Sequence, residues 1–242
     1  MAGTESRMRL FPYFGGKNRL AALYPKPTYP LIIEPFCGAA NYSGVYCERQ
    51  IYLNDKNMLP VALLTYLIKA TPETILALPL LEPGQLVKNL PLPQVDKNLI
   101  GIWCTENGQS LGRCLPHWAT ITHWANYWGA ACRERLAKSV TQIKHWRVQL
   151  GAYDCIPNQE ATWFVDPPYS LRGGIHYKMG SNQINYKMLA AWCLSRKGQV
   201  IVCEAKGANW LPFNHTITQK ARSTNQNRYT EVYCHIQDGR IL

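Results

Sequence analysis

The chain has 242 residues, of which 47% are hydrophobic and 17% are charged, and its formal net charge is +11. Such a composition excludes a disordered chain, and the longest apolar runs are far shorter than the roughly 20 residues of a membrane span. Nine cysteines without a Cys-x-x-Cys pair exclude a disulfide-stapled scaffold. The N-terminal residues lack an apolar signal core, so we expect a soluble, cytoplasmic protein with reduced thiols.

The positive charge is spread evenly along the chain. Residues 1–71, 72–150 and 151–242 carry 8, 8 and 10 basic residues against 4, 5 and 6 acidic ones, which gives net charges of +4, +3 and +4. A basic tail would concentrate the charge in one segment, whereas an even excess suits a folded protein with a positive face. We therefore expect a polyanionic partner, with a charge kept only for solubility as the alternative.

The first motif in chain order is a glycine turn between aromatic residues and a lysine. Residues 11–17 read Phe-Pro-Tyr-Phe-Gly-Gly-Lys. The two glycines allow a tight backbone turn, through which the ring of Tyr13 and the ammonium group of Lys17 reach a bound ligand. A simple turn without a ligand is the alternative interpretation.

Two short apolar strands follow, and each one ends in an acidic residue. Residues 31–33 run into Glu34-Pro-Phe-Cys-Gly-Ala-Ala-Asn-Tyr-Ser, and residues 51–55 read Ile-Tyr-Leu-Asn-Asp. The small residues after Glu34 predict a strand, a loop and the start of a helix, with room for a ligand near the backbone. In nucleotide-binding α/β folds an acid in the position of Glu34 or Asp55 engages a ribose hydroxyl or a charged amine.

The middle third of the chain differs in composition from both ends. Prolines cluster in residues 72–94 and tryptophans in residues 95–150, which predicts an excursion from the α/β pattern. We expect these tryptophans to form its core. Residues 133–148 predict a basic amphipathic helix, whose polar face is either an ordinary solvated surface or a phosphate-binding one. Cysteines and histidines also occur here, at Cys104, Cys114, His117 and His123, but their spacing fits no zinc pattern, so we expect no metal.

Beyond residue 151 the chain returns to strands alternating with helical patterns, and residues 163–170 read Trp-Phe-Val-Asp-Pro-Pro-Tyr-Ser. Two consecutive prolines remove two backbone donors and fix two φ angles, so a strand must end at this point. The stiff loop that follows has Asp166 at its start, Tyr169 at its end and carbonyls that we expect to point outward unpaired. An ordinary Pro-Pro turn is the alternative, because proline and aspartate are common turn residues.

Taken in order, these motifs resemble those of the Dam-like class of DNA adenine methyltransferases. The order is Tyr-Phe-Gly-Gly-Lys, Glu-Pro-Phe-x-Gly, Asn-Asp, a long insertion, and Asp-Pro-Pro-Tyr. The resemblance extends to an acid at Asp154, a helix over residues 184–192, and strands over residues 199–204 and 228–233. It covers about two thirds of the chain. It implies an α/β fold with a Rossmann-like, S-adenosylmethionine-dependent methyltransferase sheet and helices on both faces.

The resemblance also implies two functional regions along the chain. Residues 1–71 and 151–242 would form the catalytic domain, and residues 72–150 an inserted, mainly helical target-recognition region. The cofactor would be S-adenosyl-L-methionine and the partner double-stranded DNA, with the enzyme acting alone or beside a cognate restriction nuclease. The cofactor-binding residues would be Tyr13, Phe14, Gly15, Gly16, Lys17, Glu34, Pro35, Phe36, Gly38, Asp55, Asp154 and Asp166. The target base would meet Asp166, Pro167, Pro168 and Tyr169, and DNA would meet Arg113, Arg133, Arg135 and Lys138.

The Asp-Pro-Pro-Tyr segment fits this chemistry on physical grounds as well. The exocyclic nitrogen of adenine is a poor nucleophile, because its lone pair is delocalised into the ring. The Asp166 carboxylate and the Pro167 carbonyl are two acceptors that hold both amino hydrogens and draw the nitrogen toward tetrahedral geometry. A base in a duplex must be flipped out to reach them, and the ring of Tyr169 replaces its lost stacking.

One residue departs from the pattern of the family. Ala40 stands where the second glycine of Glu-Pro-Phe-x-Gly-x-Gly is usual. Its methyl group is harmless if the φ angle of this residue is negative. If the angle is not negative, we expect the methyl group to crowd the cofactor. Three alternatives to adenine methylation therefore stay open. They are a degenerate fold that binds DNA without methyl transfer, a methyltransferase for cytosine N4, RNA or protein glutamine, and an unrelated basic nucleotide-binding domain.

Overall fold

One mixed sheet of eight strands organises the chain in the computed structural model, which describes residues 8–82, 84–105, 111–112, 114, 127–171, 181–219 and 229–242. The strands are β1 (Leu31–Glu34), β2 (Gln50–Asp55), β3 (Arg147–Leu150), β4 (Ala161–Val165), β5 (Gly198–Ala205), β6 (His215–Gln219), β7 (Tyr229–Gln237) and β8 (Arg240–Ile241). The helices are α1 (Met58–Lys69), α2 (Pro72–Leu76), α3 (Gln94–Trp103), α4 (Ala130–Gln142) and α5 (Tyr186–Leu194). Short 3-10 turns occur at Ala21–Leu23, Val87–Asn89, Tyr153–Cys155 and Ser181–Gln183.

The strand order reverses in the middle of the sheet. Five adjacent strands, in the order β3-β2-β1-β4-β5, are parallel, whereas β7 lies antiparallel between β5 and β6, and β8 pairs with β7. The chain therefore runs outward from β1 in one direction and from β4 in the other. In parallel α/β sheets, ligands bind beyond the carboxyl ends of the strands at such a reversal. β1 ends at Glu34, and β4 ends directly before Asp166.

The sheet is buried on both faces, because consecutive residues of its central strands enter different hydrophobic clusters. On β4, Phe164 packs in the cluster that includes residues of α1, α3 and α4, whereas Trp163 and Val165 pack with residues of α5. Ile32 and Ile33 of β1 alternate in the same way. Two-sided burial explains why these strands are almost continuously apolar. The expected α/β architecture is thus confirmed.

The middle block shares its core with the sheet. Trp103, Trp128 and Trp146 are buried in the cluster that also covers one face of β1, β2 and β4, which confirms the expectation that they are core residues. Two further tryptophans, Trp118 and Trp124, lie outside the described residues. The last residues of the block form β3, which pairs with β2 at the edge of the sheet.

The helix predicted over residues 133–148 is wrong in its extent. α4 begins at Ala130 and ends at Gln142, and Val148 lies on β3 opposite Leu53. Between them, the ammonium group of Lys144 donates to the carbonyl oxygens of Ile68 and Ala70 at the end of α1. The turn after α4 is therefore tied to the last turn of α1, where a cation is favourable.

The helix predicted after Glu34 is not formed. Residues 35–49 make consecutive turns instead. Two of these residues, Gly38 (φ 46°) and Ala40 (φ 53°), have a left-handed backbone, which a right-handed helix does not accept. The amide of Ser43 donates to the Glu34 carboxylate at 2.7 Å.

The elements predicted for the C-terminal third are present with small changes of boundary. The helix expected over residues 184–192 is α5, whose N-terminus is capped by the Asn185 side chain accepting from the amide of Met188. The expected strands correspond to β5 and β7, and Arg228 lies outside the described residues. Nowhere in the described ranges is a helix both long and apolar enough to cross a membrane.

Candidate functional site

A cleft of about 610 Å³ lies at the carboxyl ends of β1, β2 and β4. Four segments that are far apart in the sequence line it: the glycine turn, the turns after β1, the end of β2 and the start of the Asp-Pro-Pro-Tyr loop. All of the predicted cofactor residues line the cleft except Pro35 and Asp154. Sequence reasoning missed six further lining residues, which are Cys37, Ala39, Asn41, Tyr42, Asn57 and Phe164.

The glycine turn forms a wall that leaves no room for side chains. The amide of Gly16 donates to the carbonyl of Tyr13 at 3.0 Å and closes the turn. A Cβ atom on Gly16 would lie 2.8 Å from the amide nitrogen of the Asn41 side chain, and one on Gly38 would lie 2.9 Å from the Tyr13 ring. The Tyr13 hydroxyl accepts a hydrogen bond of 2.9 Å from the Asn57 side chain. Close packing thus fixes the shape of this wall.

Asp55 lies at the end of β2 and is held by main-chain amides. Its Oδ2 atom accepts from the amide of Gly38 at 2.9 Å, and its Oδ1 atom accepts from the amide of Asn57 at 2.8 Å. Burial raises the pKa of Asp55, while these N–H groups act to lower it. The carboxylate therefore faces the cleft in an orientation set by the backbone.

Glu34 is buried at the end of β1, and it too is held by a main-chain amide, that of Ser43. Burial raises the pKa of Glu34 to about 8, against the opposing effect of the Ser43 hydrogen bonds. At neutral pH this carboxyl group is therefore mostly neutral in the ligand-free protein. A cation in the cleft would favour its ionised form.

Lys17 is 3% exposed and lies between two carboxylates. Its Nζ atom is 2.7 Å from Oδ2 of Asp166 and 3.6 Å from Oε1 of Glu231, and it donates to the carbonyl of Gly15 at 2.9 Å. Burial acts to lower the pKa of Lys17, but Asp166 and its other anionic neighbours raise it well above its usual value. Burial raises the pKa of Asp166 to about 6, although Lys17 opposes the change.

The Asp-Pro-Pro-Tyr loop is anchored on both sides. The hydroxyl of Tyr186 on α5 donates to the carbonyl of Pro168 at 2.5 Å, and the amide of Ser170 donates to Oε2 of Glu204 at 2.9 Å. The Trp210 ring nitrogen also donates to Glu204, at 2.8 Å. The expectation that the carbonyls of this loop are all unpaired is therefore wrong for Pro168.

Two polar atoms of the Asp-Pro-Pro-Tyr loop are buried without a hydrogen-bond partner among the described residues. They are Oδ1 of Asp166 and the hydroxyl oxygen of Tyr169. The Tyr169 ring lies beside Lys17, whose Nζ atom is 4.9 Å from the ring centroid. Because folded proteins pair nearly all buried polar groups, each of these atoms is a candidate for a hydrogen bond to a ligand.

Asp154 does not reach the cleft. It is exposed on the 3-10 turn Tyr153–Cys155, and its neighbour Tyr153 instead stacks on Phe36 at the cleft wall, with ring centroids 5.4 Å apart. The structure therefore places Asp154 outside the cleft, whereas Tyr153 contacts a residue that lines it.

The predicted DNA-binding residues have different environments. Arg133 donates to the carbonyls of Leu76 and Leu78 and so holds the end of α2, and the Arg135 guanidinium lies 5.2 Å from the Trp103 ring centroid. Lys138 is exposed on α4. Arg113 lies outside the described residues.

The fold and the cleft together define an α/β protein with a ligand site at the topological reversal of its sheet. The chain matches no protein-family model and none of the curated proteins. Across the described ranges, no group of three or more His, Cys, Asp or Glu side chains is arranged to hold a metal ion, and His117 and His123 fall outside those ranges. The function is therefore inferred from the site itself.

Proposed function

We propose that this chain is a site-specific DNA methyltransferase that transfers a methyl group from S-adenosyl-L-methionine to the N6 amino group of adenine in double-stranded DNA. One observation carries the proposal: motifs that resemble those of Dam-like methyltransferases, spread from Tyr13 to Pro168, line a single cleft. The mixed sheet, with strand order β3-β2-β1-β4-β5-β7-β6, is also compatible with the Rossmann-like sheet that the resemblance implies.

The cleft fits this cofactor in shape and in charge. Its glycine wall lets a ligand touch the backbone. The Asp55 carboxylate suits ribose hydroxyls, and the carboxyl group of Glu34 suits a positively charged ligand. When bound, S-adenosylmethionine supplies an activated methyl group on a positively charged sulfur.

The reaction end of the cleft suits an amino group as the acceptor of the methyl. Oδ1 of Asp166 is unpartnered among the described residues and accepts one amino hydrogen, while Lys17 holds Oδ2 at 2.7 Å and keeps the carboxylate in place. The Pro167 carbonyl accepts the second hydrogen in this proposal. Asp166 then takes up, at Oδ1, the proton that the methylated amino group loses. Such fixed acceptors stabilise the charge that develops on the nitrogen.

The DNA partner is supported by charge and by the need to reach a single base. The net charge of +11 favours a polyanion, and Lys138 is exposed on α4 within the block proposed for target recognition, residues 72–150. Base flipping brings an adenine to Asp166. Tyr169 is the proposed stacking partner, which requires its ring to turn from Lys17 toward the base.

Transfer of labelled methyl from S-adenosylmethionine to unmethylated genomic DNA tests the proposal, with nucleoside mass analysis and modification-sensitive sequencing as the readouts. We expect label in N6-methyladenine at one short sequence, and transfer that is about 100-fold to 1,000-fold slower with the Asp166→Asn variant. Label in cytosine, RNA or protein would keep the cofactor and replace the substrate. Cofactor binding without any transfer would instead identify a degenerate methyltransferase fold.

A further inference from the structure

Glu231 is a buried carboxylate in the strand predicted over residues 228–233, and it is not one of the predicted site residues. It lies on β7, opposite Ala205 of β5 and Ile217 of β6, and is 2% exposed. Its Oε1 atom faces Lys17 at 3.6 Å, and its Oε2 atom accepts a hydrogen bond from the hydroxyl of Tyr24. Each of its two carboxylate oxygens is therefore held in place by a buried side chain.

The cluster of Lys17, Asp166 and Glu231 contains more negative charge than Lys17 alone can neutralise. Lys17 already has Asp166 at 2.7 Å, so Glu231 adds a second carboxylate to a single ammonium group. Burying an extra charge is costly unless it is paired and hydrogen-bonded, and Lys17 and Tyr24 supply these partners to Glu231. A lysine shared between two carboxylates neutralises neither completely, and Asp166 keeps negative charge on its unpartnered Oδ1.

Other charged and titratable groups also face this cluster and belong in any account of its pH dependence. They come from β1, from β5 and from the loops around the cleft, and they are Glu34, Cys203, Glu204, Tyr24 and Tyr169. Glu204 is already occupied by Ser170 and Trp210, and burial raises the pKa of the Cys203 thiol well above its usual value. Within the described ranges, Asp166 and Glu231 are the carboxylates that form ion pairs with Lys17.

We propose that Glu231, held by Tyr24, is a positioning residue that shares Lys17 with Asp166 and so keeps Asp166 Oδ1 a strong acceptor for the amino group of the target base. The substrate named in this inference rests on the proposed function. The effect of Glu231 on the charge of Asp166 does not. Without Glu231, Lys17 would pair with Asp166 alone and would withdraw charge from the atom that meets the substrate.

Glu231→Gln is the first test, because it keeps the size of the side chain and removes its charge. Removing a neighbouring negative charge lowers the pKa of Asp166, and we expect the shift to be about one pH unit. The carboxyl carbon of Asp166, followed by 13C NMR in aspartate-labelled protein without ligands and assigned with Asp166→Asn, reports this shift. The acidic limb of the single-turnover methylation rate should move by the same amount. The plateau rate should fall about tenfold, because a weaker base is a weaker acceptor.

Two matched variants separate this role from a merely structural one. Glu231→Asp keeps the charge and should leave the Asp166 titration near its wild-type position. Tyr24→Phe keeps the ring, which packs against Phe164, and removes only the hydroxyl. In this variant the Glu231 carboxylate loses the hydroxyl that donates to it, so its negative charge acts more strongly on Asp166. The pKa of Asp166 should therefore rise, opposite to the change in Glu231→Gln. Tyr24→Phe also supplies the test if Glu231→Gln does not fold.

The proposal fails if the Asp166 titration is unchanged in both Glu231→Gln and Tyr24→Phe, or if both variants shift it in the same direction. An unchanged methylation plateau in Glu231→Gln would likewise overturn it. Failure of the proposed function looks different, because wild-type protein would then transfer no methyl to DNA while the NMR titrations still moved in opposite directions.

Discussion

At the β1 and β2 end of the cleft the carboxylates are held by main-chain amides, whereas at the β4 end the carboxylate is held by a lysine side chain. Asp55 accepts from two backbone N–H groups and Glu34 from one. Asp166 shares the ammonium group of Lys17 with Glu231. Backbone donors are fixed by the fold, but a shared ammonium group can change its partner without unfolding. The first end is therefore suited to binding and the second to chemistry.

The unpaired atoms reinforce this difference. At the β4 end, Oδ1 of Asp166 and the hydroxyl of Tyr169 are buried without partners in the described part of the chain. At the other end, the Asp55 oxygens both have backbone partners. Changes at the two ends should therefore alter different quantities: the rate of transfer at the β4 end, and the affinity for the cofactor at the β1 and β2 end.

The largest effect should come from Asp166→Asn. The amide cannot hold the substrate amino group and Lys17 as a carboxylate does, and we expect single-turnover methylation to fall by about 100-fold to 1,000-fold. Glu231 remains as the partner of Lys17, so the melting temperature should not fall. Affinity for DNA, measured by fluorescence anisotropy, should be retained because phosphate contacts dominate it. A variant that kept most of its rate would refute the role assigned to Asp166.

Asp55→Asn should weaken cofactor binding by roughly 10-fold to 100-fold, since hydrogen bonds to a charged group contribute about 1.5–3 kcal/mol. The side-chain amide nitrogen of the variant is a donor, and it would face one of the two backbone N–H groups from which Asp55 now accepts hydrogen bonds. Isothermal titration calorimetry with S-adenosylmethionine measures the change. Asp154→Asn is the matched control, and it should bind the cofactor normally because Asp154 is exposed outside the cleft. Equal losses in both variants would contradict the geometry described here.

Glu34 should make cofactor affinity depend on pH. Its pKa is raised to about 8 by burial, so the carboxyl group is neutral below that value and ionised above it. A positively charged ligand prefers the ionised form, and affinity should rise about tenfold between about pH 7 and pH 9. In the ligand-free protein the contribution of Glu34 to the free energy of unfolding has the opposite sign, because it is lost as the pH rises through about 8.

Calorimetric titrations of wild type and Glu34→Gln across this pH range test the effect. The variant should show a flat profile, and S-adenosylhomocysteine, which lacks the positive sulfur, should show a weaker dependence than S-adenosylmethionine. If the cofactor affinity of the wild type did not change with pH, ionisation of Glu34 would not contribute to cofactor binding.

The sequence was sufficient to predict strands β1, β2, β4, β5 and β7 and most of the residues that line the cleft, but not β3, β6 or β8. Glu34, Asp55 and Asp166 each stand at or just after the end of an apolar strand, and in a parallel sheet those ends meet at one edge. The family resemblance also predicted α5 within two residues. These features need no knowledge of which strands are neighbours.

The missed features all depend on contacts between distant segments or on backbone angles. Glu231 looks like one charged residue in a strand, and only the pairing of β7 with β5 brings it to Lys17, 214 positions earlier in the chain. The end of α4 depends on Lys144 binding the end of α1. The exposure of Asp154 depends on the 3-10 turn that directs Tyr153 to Phe36. The left-handed backbone of Ala40 is likewise invisible in the residue itself.

Ala40 has the backbone angle for which glycine is usual, but its methyl group lies away from the cofactor cleft. Its φ is 53°, it is buried in the hydrophobic cluster beneath the sheet, and it is not among the residues that line the cleft. Alanine at this backbone angle is therefore strained, and Ala40 does not line the cleft. This strain belongs to the binding end of the cleft, where the backbone holds the carboxylates.

Ala40→Gly should consequently have the smallest effect. Removing the left-handed strain gains about 1–2 kcal/mol, but losing a buried methyl costs about 0.8 kcal/mol and added freedom in the unfolded chain costs about 0.5–1 kcal/mol. The free energy of unfolding should change by less than about 1 kcal/mol in urea denaturation, and cofactor affinity should stay within about twofold. Ala40→Val, which adds a β-branched side chain to the same left-handed backbone, should lower stability clearly. Much tighter cofactor binding by Ala40→Gly would mean that the methyl group reaches the cleft after all, and that the backbone at this end is less rigid than its hydrogen bonds indicate.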